Sequence, residues 1–178
     1  TRTRPVLAHP RVTPLPFDLG DESSIAAAAA RCGADGPLHL VVVATGGLHD
    51  GAALQPEKSW RALTAPSLAE SFAVNAIGPA LLAKHFLPRL ATGGKAVFAA
   101  LSARVGSITD NGLGGWHGYR ASKAALNMLM KNFALELARQ GASLIAALLT
   151  LEILHRLENG RRLFRGHVLL ILELRQRA

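Results

Sequence analysis

The sequence predicts an α/β fold, a partial doubly wound (Rossmann-like) parallel sheet with flanking helices. Two observations predict it. Apolar runs of strand length alternate with helical stretches, a pattern typical of parallel sheets with right-handed crossovers. Those runs are apolar at every position, as in strands that are buried on both faces. Apolar residues make up 49% of the 178 residues, which is enough for a sizeable core.

The first predicted elements precede residue 45. Residues 12–19 are predicted to be a short extended segment, although two prolines punctuate it. Asp21 suits the N-cap of an alanine-rich helix, and Gly33 suits the residue just after its end. Residues 38–44 (LHLVVVA) lie between glycine-containing turns and predict a buried strand.

The middle of the chain continues the alternation. A helix is predicted from about residue 66 to 90, interrupted or kinked near Gly78, where a proline follows. Residues 95–102 (KAVFAALS) predict a second buried strand. Residues 103–118 contain five glycines and are predicted to form a loop.

The strongest predicted helix covers residues 119–140. Its apolar side chains form one stripe: Leu126, Leu129, Phe133 and Leu137. Residues 142–150 are again apolar and predict a strand. We therefore expect residues 1–150 to form a dinucleotide-binding type of domain, and residues 151–178 to be an atypical basic tail rich in leucine and arginine.

Charge and composition exclude several function classes. The net charge of +8 is spread along the chain and aromatic residues are only 5%, so nucleic-acid binding is not expected. The longest apolar runs are shorter than 18 residues, so no membrane span is predicted. The seven histidines lack paired metal-ligand spacing, so we expect no metal site. A single cysteine, Cys32, suits a reducing compartment such as the cytoplasm.

Tyr119 and Lys123 are the first candidates for chemistry. Four residues apart on a helix, they share one face. A neighbouring ammonium favours the phenolate and would lower the tyrosine pKa from its usual value of about 10. The pair would then suit general acid–base work. The alternative is a solvated helix face on which neither residue has a role.

Two further polar residues occupy notable places. Ser102 ends a predicted strand, and ligands of open parallel sheets bind outside the carboxyl ends of strands. Asn75 interrupts an apolar helical stretch, SFAVNAIGP, and either marks a kink or has a function.

Three segments, VNAIGP, LSARVGSI and YRASKAALN, follow one another in an order and spacing that resemble the short-chain dehydrogenase/reductase family, especially its C-factor-like bacterial branch. The resemblance covers roughly residues 12–142. It implies an oxidoreductase that transfers a hydride between a nicotinamide cofactor, NAD or NADP, and a small carbonyl or alcohol substrate. It also leaves open a homo-oligomer formed through the long helices.

The resemblance assigns roles to the four candidates. Tyr119 would donate the proton to the carbonyl oxygen, and Lys123 would lower the tyrosine pKa and hold the nicotinamide ribose. Ser102 would hydrogen-bond the substrate oxygen, and Asn75 would anchor a water that relays protons to the lysine.

Five further residues are implied to contact the cofactor. Asp18 and Leu19 match the family position beside the adenine. Ala44, Thr45 and Gly46 stand where the family has an Asn-Asn-Ala-Gly-like turn beside the adenine ribose.

The chain departs from the family pattern in several places. No glycine-rich TGxxxGxG turn precedes residue 12, so we expect residues 1–150 to be an incomplete dinucleotide-binding domain. The family serine three residues before the loop glycine Gly106 is Ala103 here, which leaves Ser102 and Ser107 as competing hydroxyls. The tail after residue 150 suggests a changed reading frame or an unrelated terminus. A non-catalytic fragment that cannot bind dinucleotide is the alternative function.

Overall fold

The computed structural model describes residues 12–49, 55–139, 144–149 and 168–171, the last two stretches by their backbone only. Four described strands, all parallel, form one sheet in the order β3-β2-β1-β4. The strands are β1 (Leu40–Val43), β2 (Ala96–Leu101), β3 (Leu144–Leu149) and β4 (Val168–Ile171). This sheet and its crossover helices confirm the predicted α/β class.

Four described α-helices accompany the sheet: α1 (Glu22–Cys32), α2 (Ala65–Phe72), α3 (Gly78–Phe86) and α4 (His117–Arg139). A π-helical segment, Ala73–Ile77, joins α2 to α3 and confirms the predicted interruption near Gly78. Pro79 causes it, because proline has no N–H to donate to the carbonyl four residues earlier. That carbonyl belongs to Asn75.

Helix α1 begins and ends as predicted, with one difference. The carboxylate of Asp21 accepts hydrogen bonds from the backbone N–H groups of Ser23 and Ser24, which caps the helix. Gly33 ends it, but with φ −85° rather than in the left-handed conformation expected of a helix-ending glycine.

Residues 12–19, predicted to be a short extended segment, do not join the sheet as a strand. Within residues 12–49 the structure has no strand before β1. Pro14 and Pro16 explain this, since neither can donate a backbone hydrogen bond to a neighbouring strand. The segment is anchored through Leu19, whose buried side chain packs against Gly78 at the start of α3.

Part of the basic tail joins the sheet. Residues 168–171 form β4, which pairs in parallel with β1 from Leu40↔Val168 to Val43↔Ile171. Strand β4 thus covers the edge of β1 that β2 leaves unpaired. The apolar sequence VLLI suits such a place between or beside other parallel strands.

The described helices pack on one face of the sheet. Ile25 of α1, Phe86 of α3 and Leu126 of α4 meet Val41 and Phe98 in one buried cluster. Side chains of the opposite face, led by Val42, Val97 and Ala99, form a second buried cluster. Leu126 and Leu137 of the predicted α4 stripe are buried, and Met130, which the stripe omitted, is buried as well.

Candidate active site

Lys123 stands at the centre of the candidate site. It lies two turns into α4 and is 3% exposed. Its Nζ donates a hydrogen bond of 2.9 Å to the carbonyl oxygen of Leu101, the last residue of β2. The same Nζ lies 5.8 Å from the centre of the Tyr119 ring. Helix α4 thus places the ammonium and the phenol side by side, at the carboxyl end of a strand, as their spacing predicts.

Burial controls the acid–base properties of this pair. It lowers the pKa of Lys123 from 10.5 to about 8, because the charged form loses solvation. Burial also raises the pKa of Tyr119 above its ordinary value. The expected lowering of the tyrosine pKa by Lys123 is therefore not found in this structure, where desolvation outweighs the ammonium that lies over the ring.

Asn75 contacts the loop that follows β1. Its Oδ1 accepts a hydrogen bond of 3.0 Å from the N–H of Gly47, and its Nδ2 donates one of 2.9 Å to the carbonyl of the same glycine. The asparagine is completely buried in the π-helical segment. Its side-chain amide thus pairs with the loop as a neighbouring strand would.

The turn after β1 comes close to both Asn75 and Lys123. A Cβ placed on Gly46 would lie 3.2 Å from Nζ of Lys123 and 3.4 Å from Oδ1 of Asn75. Thr45 is 2% exposed, and its hydroxyl finds no hydrogen-bond partner in the part of the chain that the structure describes. Ala44 directly precedes it, so the predicted ribose turn borders the lysine.

Ser102 is hydrogen-bonded to a residue other than Tyr119 or Lys123. Its hydroxyl donates a 2.5 Å hydrogen bond to Oδ1 of Asn127, one helical turn beyond Lys123 and eight residues beyond Tyr119. Eight residues span about 12 Å along a helix axis. The competing hydroxyl, Ser107, accepts from the backbone N–H of Asp110 within its own loop. Within the part of the chain that the structure describes, neither serine forms a hydrogen bond with Tyr119 or Lys123.

Asp18 and Leu19 lie just before α1 and have structural partners there. Oδ1 of Asp18 accepts from the N–H of Gly20 at 2.8 Å, and its backbone N–H donates to the hydroxyl of Ser24 at 2.9 Å. Leu19 belongs to the core. Both residues therefore have local structural partners, and their predicted contact with the adenine stays a prediction.

Glu57 is the polar residue that the sequence reasoning missed. It is 7% exposed, and its Oε2 accepts a 3.1 Å hydrogen bond from the N–H of Gly118 in the first turn of α4. The two residues are 61 positions apart, so no local pattern links them. The buried carboxylate occupies the end of α4 that carries Tyr119.

The described residues also bear on metal binding and on membrane crossing. Among the described residues, no group of three or more histidine, cysteine, aspartate or glutamate side chains is placed to hold a metal ion. None of the helices in the described ranges has the length and apolar character needed to cross a membrane.

Comparison with known proteins decides the family. Residues 5–150 match the family model described as short chain dehydrogenase. The chain belongs to the short-chain dehydrogenase family. Its motif order and its parallel sheet agree with that membership, and the resemblance inferred from the sequence is confirmed.

Two curated proteins are similar to part of this family member. The C-signal protein of Myxococcus xanthus is 38% identical over 74 residues, which cover 42% of this chain and 45% of that protein. The 1-hydroxy-2-glutathionyl-2-methyl-3-butene dehydrogenase of Rhodococcus sp. (strain AD45) is 39% identical over 72 residues, 40% of this chain and 31% of that one. The similarity therefore spans less than half of either relative.

Solved structures share the fold over a longer stretch. The NADPH-bound carbonyl reductase from chicken fatty liver has a TM-score of 0.67 and 28% identity, covering 80% of this chain and 56% of that one. The carbonyl reductase Sniffer of D. melanogaster has a TM-score of 0.59 and 27% identity, covering 71% of this chain and 54% of the other. These neighbours confirm a Rossmann-like fold.

Proposed function

We propose that this short-chain dehydrogenase acts as an NAD(P)-dependent oxidoreductase on a carbonyl or alcohol substrate. The observation that carries the proposal is the position of Lys123. A buried ammonium lies beside a phenol at the carboxyl end of a parallel strand, where open sheets bind their ligands. A solvated helix face, the alternative for this pair, does not suit a lysine that is 3% exposed.

The residues at this edge suit the two riboses of a dinucleotide, with Lys123 at the nicotinamide ribose and the turn of residues 44–46 at the adenine ribose. Lys123 offers donors, Thr45 offers a buried hydroxyl without a described partner, and Gly46 leaves room that a side chain would fill. A bound NAD(P) supplies or accepts the hydride. Ala44, Thr45, Gly46 and Lys123 would hold it, with Asp18 and Leu19 nearer the adenine.

Tyr119 and Lys123 divide the proton chemistry. The raised pKa keeps the Tyr119 hydroxyl protonated at neutral pH, as a proton donor to a carbonyl oxygen must be. Lys123, with a pKa of about 8, exchanges protons near neutral pH and can reload the tyrosine. Asn75 holds the loop beside the lysine and would anchor the relaying water. Ser102 is kept as the proposed partner of the substrate oxygen, for which it would have to leave Asn127.

A cofactor titration tests the proposal. We expect saturable quenching of protein fluorescence, or enhancement of cofactor fluorescence, when NADPH or NADH is added. Lys123→Met should weaken binding at least about tenfold, the loss of one charged hydrogen bond. Lys131→Met on the exposed side of α4 is the matched control and should bind normally. Running both cofactors shows which of NAD and NADP is preferred.

The competing proposal is a non-catalytic fragment that retains Tyr119 and Lys123. The hydrogen bond that turns Ser102 toward Asn127 favours it, because this hydroxyl is then occupied. No saturable binding at millimolar NADPH and NADH would support the fragment and contradict the oxidoreductase.

We also propose that the chain self-associates through its long helices. Met128 and Leu135 lie seven residues apart on one face of α4 and are 62% and 44% exposed. Sedimentation should show a dimer or larger species that Met128→Glu dissociates; a monomer at every concentration contradicts this. The cytoplasmic location suggested by the single cysteine stays a prediction.

A further inference from the structure

Glu57 links three segments that are distant in the sequence. Its Oε2 accepts from the N–H of Gly118, and its Oε1 accepts from the hydroxyl of Ser67 in the first turn of α2 at 3.2 Å. Its backbone carbonyl accepts from the N–H of Trp116, the residue just before α4. Glu57 thus binds both the residue just before α4 and a residue in its first turn.

The turn before α4 needs such support. Gly114, Gly115 and Trp116 have φ angles of 64°, 65° and 51°, so three consecutive residues are left-handed. That conformation is unfavourable for a bulky side chain such as tryptophan. Strained residues persist only where their surroundings determine them, and here the backbone carbonyl of Glu57 binds the strained Trp116 directly.

The carboxylate also suits the end of the helix that it contacts. The first N–H groups of a helix have no partner within the helix, and that end carries a partial positive charge. A hydrogen bond to a carboxylate there is charge-assisted and stronger than a neutral one. Because Gly118 immediately precedes Tyr119, this bond fixes the backbone next to the proposed proton donor.

We propose that Glu57 is a positioning residue for Tyr119: by clamping the first turn of α4, it keeps the half-buried phenol beside Lys123. The inference rests on the proposed function, because the position of the phenol matters to catalysis only if Tyr119 is the proton donor. The described hydrogen bonds of Glu57 go to Ser67, Trp116 and Gly118 and not to the phenol, so Glu57 is not itself a catalytic residue.

A role in stability alone would leave Tyr119 unchanged in the folded variant, so the test needs a signal from the phenol. The chain has one tyrosine, so the ultraviolet absorbance of the phenolate reports Tyr119 directly and needs neither cofactor nor turnover. Amide hydrogen exchange at Gly118 and Tyr119 reports the first turn of the helix.

Four variants form the comparison. Glu57→Ala removes both side-chain hydrogen bonds, whereas Glu57→Gln keeps an acceptor for Gly118. Glu136→Ala and Glu136→Gln make the same changes at an exposed position of α4. We expect Glu57→Ala to move the Tyr119 titration down toward that of an exposed tyrosine, since burial is what raises its pKa. Exchange at Gly118 should accelerate about 10- to 100-fold, the loss of a hydrogen bond to a charged group. Glu57→Gln should restore most of both signals.

A cooperatively folded Glu57→Ala with an unchanged Tyr119 titration would overturn the proposal. If Glu57→Ala does not fold, Gly118→Ala replaces it, because the added methyl would lie 3.0 Å from Oε1 of Glu57 and 3.3 Å from Cβ of Ser71, so the carboxylate has to shift. The same shift of the Tyr119 titration is expected, and its absence again overturns the proposal.

Turnover separates this proposal from the proposed function. If the protein is active, Glu57→Ala should lower kcat about tenfold or more and change KM less than about twofold, since the substrate contacts stay in place. If the protein shows no turnover, the proposed function fails, while the tyrosine titration still decides the role of Glu57.

Discussion

Two neighbouring groups at the end of β2 are held in different ways. In the lysine cluster (Asn75, Gly46, Gly47 and Lys123), each hydrogen bond of a side chain goes to backbone atoms, and Asn75 and Lys123 are buried. In the serine pair (Ser102 and Asn127), the short hydrogen bond joins two half-buried side chains, and a long one of 3.5 Å runs from Nδ2 of Asn127 to the carbonyl of Gly106.

The difference shows which of these side chains are held more firmly. Backbone atoms of a sheet end and a π-helical segment move little, so they fix the lysine cluster within narrow limits. A side-chain pair can exchange its partner at low cost. We therefore expect substitutions in the lysine cluster to lower the free energy of unfolding most, and substitutions in the serine pair to lower it little.

Among the substitutions that test this comparison, Tyr119→Phe should have the largest effect. It removes the proposed proton donor and keeps the ring that lies beside Lys123. We expect kcat to fall about 10²- to 10⁴-fold, the usual range for losing a general acid. NADPH binding should stay nearly unchanged, measured by fluorescence titration. Substantial remaining turnover would refute the assigned role of Tyr119.

A second test uses pH to measure the free-energy cost of burying the Lys123 ammonium. Its pKa falls from 10.5 unfolded to about 8 folded. Between these pH values the unfolded chain binds a proton that the folded chain has released, so the free energy of unfolding rises with pH. Relative to Lys123→Met, the gain between pH 7 and 10.5 should be about 3 kcal/mol.

Urea denaturation of both proteins across this pH range checks the value. Exposed Lys131 provides the control, because Lys131→Met should follow the wild type at every pH. A difference between wild type and Lys123→Met that does not change with pH would show that the lysine is not desolvated.

A third test compares the two asparagines. Asn75→Ala leaves the N–H and the carbonyl of Gly47 without their partners, which should lower the free energy of unfolding by about 2 to 3 kcal/mol. Asn127→Ala removes the hydrogen bond from Ser102 and the long one to the carbonyl of Gly106, both half-exposed, and should cost about 1 kcal/mol. Equal losses in thermal or urea unfolding would remove the distinction between the two groups.

The sequence predicted local geometry well. The spacing of Tyr119 and Lys123 defines one helix face without any knowledge of the rest of the fold. Likewise, Pro79 alone is enough to predict a break in the helix, and apolar runs of the right length predicted β1, β2 and β3.

Contacts between distant residues could not be predicted. Nothing near Glu57 in the sequence indicates that its carboxylate reaches Gly118, 61 residues later. The strand β4 was missed because its pairing with β1 joins segments more than 120 residues apart. By contrast, the lack of a strand in residues 12–19 follows from Pro14 and Pro16, which the sequence itself shows.

The choice of hydroxyl at the end of β2 is the finest distinction, and it depends on strand alternation. Successive side chains of an extended chain point to opposite faces, so moving a hydroxyl by one residue moves it to the other side. Ser102 binds Asn127, whereas Ala103, still extended with φ −140° and ψ 145°, occupies the family's serine position.

Because Ser102 is the proposed partner of the substrate oxygen, we expect Ser102→Ala to lower kcat about a hundredfold. Ala103→Ser should raise kcat by up to about tenfold, the value of one hydrogen bond to developing charge. Ser107→Ala is the control for the competing loop hydroxyl. If Ser102→Ala alone reduces kcat a hundredfold, Ser102 leaves Asn127 during the reaction and the serine pair belongs to the working side of the site. If Ala103→Ser has no effect while Ser102→Ala is also silent, the substrate oxygen takes its hydrogen bond from neither position, because each face of the strand end has then been tested separately.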